Sequence, residues 1–194
     1  SSIWPIGARA SMKVTSPVRM SGRVFEAAIE TRLTDDFFTY SLPSSLEGSS
    51  ANSPSWFGYV ASLVVLGTPM LFSTSPLSQY FAIGASGKKN AIDKHHIFPK
   101  SYLTKIGYDN DRDRNQIANF TYLDYNTNIE IGDRAPAEYV AAFREKLGEE
   151  GDARTCRDNA LPLDFESLEY PEFLARRRVL MAGTIRKAYE RLCE

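Results

Sequence analysis

The sequence predicts an α+β protein, a mainly helical chain carrying one short strand–loop–strand–helix unit. Three observations predict it. Apolar residues recur at helical spacing in 22–33 and 171–193, and prolines open two further helices at 53–66 and 136–147. Two strand-like runs, Ile92 to Phe98 and Phe120 to Tyr125, lie between those helices, the first stopped by Pro99. The stretches around both strands are rich in Gly, Asn, Asp and Lys and read as loops. With 194 residues, the expected organisation is an arm or tail at 1–21 and one helical domain at 22–194, with the strand unit at about 90–147.

Each element has a local reason. Gly22 to Leu33 places Val24, Phe25, Ala28, Ile29 and Leu33 on one helical face. Leu42-Pro43 is expected to break the chain, and 47–53 reads as a polar loop. Ser53 then caps a buried helix with Pro54 in its first turn, and the body from Trp56 to Leu66 is nearly all apolar. A shorter helix or turn is expected at Pro76 to Ile83, and Gly84 to Asn90 is a basic loop. Lys100 to Ala118 reads as irregular and charged, with one helical turn near Tyr102. Asn126 to Gly132 reads as a turn region, then a helix opens at Pro136 and runs to about Leu147. Gly148 to Ala160 has the composition of a polar, acidic linker. Pro171 to Cys193 is a long amphipathic helix whose stripe is Phe173, Arg177, Leu180, Met181, Ile185, Ala188 and Leu192, the arginine through its stem.

Charge and cysteine content narrow the function. There are 23 basic and 24 acidic residues, so the net charge of -1 is unlike that of a free-standing nucleic-acid binder. Any such contact has to come from a missing partner domain or from local patches. Lys88, Lys89, Lys94 and Lys100 form one, opposed only by Asp93. Arg176, Arg177 and Arg178 read as a solvated helix face paired with acidic neighbours, with DNA contact as the alternative. The only cysteines, Cys156 and Cys193, form no Cys-x-x-Cys pair and are expected to be unpaired in a reducing, cytoplasmic setting. No apolar run is long enough for a membrane span, so no membrane partner is expected. The start, Ser1-Ser2-Ile3-Trp4-Pro5, lacks an initiator methionine and suggests a piece of a longer protein.

The chemistry concentrates at His95-His96, the only histidines in the chain. Imidazole transfers protons near neutral pH and binds metals. Phosphodiester cleavage needs an activated water, charge neutralisation on the phosphate, and help for the leaving oxygen. A histidine base beside a divalent ion meets all three needs. Neighbouring strand residues point to opposite faces, so the two histidines can converge only where the strand ends or bulges.

His95-His96-Ile97-Phe98-Pro99, followed by Asn119 and Asn128, resembles the HNH nuclease motif of the ββα-metal fold. The resemblance implies that His96 is the general base. It implies that Asn119 braces the loop and that His95 and Asn128 are metal ligands. Asn126 is the alternative to Asn128. His95 stands where many members carry an aspartate. Mg2+ is the expected ion, with Mn2+, Ni2+ or Zn2+ as alternatives because imidazole suits them better.

The wider context, Asn115-Gln116-Ile117-Ala118-Asn119, Asn128-Ile129, Ala135-Pro136-x-x-Tyr139 and Phe173-Leu174, is similar to the C-terminal region of GmrSD-type modification-dependent restriction endonucleases. That likeness implies cleavage of modified foreign DNA in bacterial antiviral defence, together with an N-terminal ParB-like domain whose motif these residues do not contain. Two rival readings use the same residues: a decayed nucleic-acid-binding or regulatory module, and a nuclease acting on RNA.

Overall fold

The computed structural model describes residues 27, 29, 31–48, 52–81 and 92–194. The expected arm at 1–21, most of the helix expected at 22–33 and the basic loop with Lys88 and Lys89 lie outside the described residues.

In chain order, a π-helical turn, Phe37–Ser41, runs directly into α1, Leu42–Ser45. Helices α2, Pro54–Val65, and α3, Ser78–Phe81, follow. Strand β1, Ile92–His96, leads to α4, Lys100–Lys105, and α5, Asp111–Arg114. A 3-10 turn, Ile117–Asn119, feeds β2, Phe120–Asp124, which runs into α6, Tyr125–Ile131. Two long helices close the chain, α7 at Pro136–Asp158 and α8 at Tyr170–Cys193. The fold is thus mainly helical with a two-stranded antiparallel sheet, consistent with the α+β class.

Several boundaries differ from expectation for identifiable reasons. Pro43 does not break the chain. It sits in the first turn of α1, and the wide turn before it, in which Leu42 N–H donates to Phe37 O, carries the helix into it. The region 126–132 is a helix rather than a turn, because the Asp124 side chain caps it by accepting from Thr127 N–H at 2.8 Å. The expected linker at 148–160 mostly continues α7. Gly148, at φ 70° and ψ 170°, is non-helical, so two helical segments meet at a kink there. Beyond that bend, the buried Asp152 accepts from Arg144 Nε at 2.8 Å, and Arg144 also reaches Glu166 at 2.6 Å. The stripe of α8 is narrower than expected. Leu180 and Leu192 are exposed, Leu180 because it lies a third of a turn from the buried Met181.

The buried side of α2 packs along α8, and the Trp56 ring lies 5.9 Å from Phe120 and 5.7 Å from Tyr122. One face of the hairpin is therefore covered by α2. Helix α6 packs on both strands. Ser53 caps α2 through Trp56 N–H at 3.2 Å, with Pro54 in the first turn, as its sequence indicates. Cys156 and Cys193 are both free, and burial pushes the Cys156 thiol up to about 12. Among the described residues, no helix is long and apolar enough to cross a membrane.

Candidate nuclease site

The hairpin register is regular from Ile92↔Asp124 to His96↔Phe120. No bulge interrupts it, so His95 shares a face with Thr121 and His96 shares the other with Phe120. One step further on, Ile97 N–H donates to Asn119 O at 2.9 Å. Bonded and non-bonded pairs alternate along an antiparallel ladder, which makes His96 and Phe120 a non-bonded, close-approach pair. Their rings meet edge-on at 4.9 Å, and Lys94 Nζ lies 4.7 Å from the centre of the same Phe120 ring.

His96 is half-buried at the end of β1, and its Nε2 lies 3.0 Å from Asn115 Oδ1. An amide oxygen only accepts, so the imidazole proton resides on Nε2 and Nδ1 keeps the lone pair. Burial pushes the pKa of His96 down from 6.5 to about 4. The Asn115 hydrogen bond opposes that shift, while the charges of Lys100, His95 and Lys94 reinforce it. The ring is consequently neutral at pH 7 and sits in a locally positive field.

The segment after His96 is pinned at four backbone atoms. Asn119, fully buried, accepts from Phe98 N–H through Oδ1 at 2.8 Å, and its Nδ2 donates to Phe98 O at 3.0 Å and to Arg114 O at 3.1 Å. The remaining two contacts are the Ile97 N–H bond to Asn119 O and a bond from Tyr139 OH to Ile97 O at 2.7 Å. Asn115, which ends α5, follows Arg114 directly. A single asparagine thus couples the loop behind His96 to the residue before the side chain that orients it.

Of the expected nucleic-acid residues, Lys94 and Lys100 flank His96, and both are exposed. Lys100 also lies 3.6 Å from Asp111. Lys88 and Lys89 are outside the described residues. The arginine triplet divides. Arg176 pairs with Glu172 and Asp164, and Arg178 with Glu47, but Arg177 is fully buried, contrary to the solvated face expected.

The two expected metal ligands lie on packed elements, His95 near the end of β1 and Asn128 in the first turns of α6, each half-buried. Asn126, the alternative, is exposed. Among the described residues, no three His, Cys, Asp or Glu side chains cluster as a closed metal site would require. One imidazole and one amide oxygen suit an ion that takes most of its shell from water and phosphate oxygens, as magnesium or manganese does.

Asn115, Tyr139 and Arg177 carry structural roles that the sequence did not assign. For Arg177 a signal was present, since it occupies the apolar stripe of α8 between Phe173 and Met181. Comparison with known family models, curated proteins and solved structures returns no match.

Proposed function

We propose that this chain is a metal-dependent endonuclease of HNH type that hydrolyses DNA phosphodiester bonds, the nuclease part of a larger bacterial restriction protein acting on modified foreign DNA. The observation that carries this reading is the state of His96: a neutral imidazole at a strand end, its proton fixed on Nε2 by Asn115 and its loop held by Asn119.

A phosphate would sit at the end of β1, where Lys94 and Lys100 attract it. His96 Nδ1 takes a proton from water, the water oxygen bonds to phosphorus, and the bond from phosphorus to the leaving oxygen breaks. Asn115 keeps Nδ1 as the basic nitrogen, and Asn119 keeps the ring in place. A divalent ion bound through His95 and Asn128 would neutralise charge on the phosphate and ease departure of the leaving oxygen. The regular register directs His95 and His96 to opposite faces, so both can address one phosphate only at the strand end.

Incubating the chain with supercoiled plasmid DNA and with RNA, each with and without magnesium or manganese, tests this. Metal-dependent DNA nicking supports it. Preferential RNA cleavage favours the RNA-nuclease reading, and no cleavage of either substrate favours a decayed binding module.

A further inference from the structure

Arg177 is the most deeply buried cation in the described structure. It is fully enclosed, and no carboxylate pairs with it among the described residues. A buried charge without an anion is costly, and an apolar side chain of similar size would fill the space more cheaply. Beside a side-chain interaction with Tyr59 of α2, the guanidinium supplies two hydrogen bonds from one nitrogen to backbone carbonyls. Its Nη1 donates to Ala118 O and to Phe120 O, both at 2.8 Å.

Those two carbonyls belong to the residues on either side of Asn119. The Asn119 carbonyl faces β1, where it accepts from Ile97 N–H. Alternation along the ladder turns the Phe120 carbonyl away from β1, and the 3-10 turn presents the Ala118 carbonyl to the same arginine. Arg177 takes both, so residue 119 is held from one side by β1 and from the other by α8. The side chain held in this way makes three hydrogen bonds, two to Phe98 and one to Arg114.

We infer that Arg177 is a positioning residue for the candidate site: clamped on the carbonyls of Ala118 and Phe120, it sets Asn119, and through Asn119 the loop that carries His96. The inference rests on the nuclease reading for its catalytic consequence, but not for its structural one.

Arg177→Met and Arg177→Lys test it, read by plasmid cleavage and by backbone amide exchange without nucleic acid. In Arg177→Met, kcat falls by about 10²-fold, the scale set by a misplacement of about 1 Å, while KM changes little. Exchange accelerates at Ile97 and Phe98. Arg177→Lys, which keeps a charged donor, recovers part of both. If Arg177→Met does not fold, Arg177→Lys decides by the same two measurements. Wild-type kcat and wild-type exchange at Phe98 in a folded variant would overturn the inference. So would failure of both variants to fold, which would make Arg177 a residue of the fold alone. If the wild-type chain cleaves nothing, the nuclease reading fails, and the exchange at Ile97 and Phe98 still decides the positioning.

Discussion

Asn119 and Phe98 form a closed ring of hydrogen bonds: the side-chain oxygen takes the Phe98 N–H at 2.8 Å and the side-chain nitrogen gives to the Phe98 carbonyl at 3.0 Å. An aspartate cannot replace this pairing, because a carboxylate has no N–H to return. A leucine of similar size can do neither.

Asn119→Leu therefore strands the Phe98 N–H and carbonyl, both in buried backbone, and releases Arg114 O. Each stranded buried group costs about 1–3 kcal/mol, so the expected loss is at least about 2 kcal/mol. Urea denaturation measures it. A midpoint within error of wild type would mean that the loop is not held as described.

The pH dependence follows from His96. Its folded pKa, about 4, lies below the ordinary 6.5, so the unfolded chain binds this proton more readily. The stability linked to His96 is intact above pH 6.5 and is lost as pH falls from there through about 4. His96→Gln removes that part of the acid dependence. With only two histidines in the chain, their ring signals can be followed individually by NMR, and a His96 midpoint near 6.5 would contradict the buried, Asn115-bonded ring.

Metal binding should need both His95 and Asn128. Titrating manganese into His95→Ala and Asn128→Ala is expected to weaken binding by about 10-fold or more in each, comparable to the loss of a supporting ligand interaction. Asn126→Ala should bind as wild type does. The reverse order, with Asn126 dominant, would move the second ligand to the exposed residue.

Contact with DNA through Lys94 and Lys100 should be weak and salt-sensitive. Each phosphate neutralised contributes about 0.9 to the slope of log affinity against log salt. Removing both lysines should flatten that slope by somewhat less than about 2. Lys100 spends part of its charge on Asp111, so Lys94→Ala is expected to have the larger effect. An unchanged slope would place the contact elsewhere.

How much of this was legible depended on distance along the chain. The hairpin, the capped start of α2 and the closing helix follow from neighbouring residues, so their pattern was readable. The 126–132 segment was misread because its asparagines suggest a turn, while the deciding residue is the cap Asp124, one position before the helix start at Tyr125. Gly148 in an acidic stretch suggests a linker, and only the ion pairs of Arg144 with Asp152 and Glu166 show why the helix resumes. In the candidate site, His96 and Asn119 stand out by spacing. Their supports do not, because Asn115, Tyr139 and Arg177 reach partners 19, 42 and up to 59 residues away. An arginine on an apolar stripe can bury its stem or its whole length, and only the two carbonyls it meets decide which.

The most direct test of the central claim is plasmid cleavage by folded His96→Ala beside wild type, in magnesium or manganese. A positioned base contributes about 10²–10⁴-fold, so the substitution is expected to reduce cleavage by that factor while circular dichroism and manganese binding remain those of the wild type. Cleavage at the wild-type rate by the folded variant would contradict the assignment of His96 as the base.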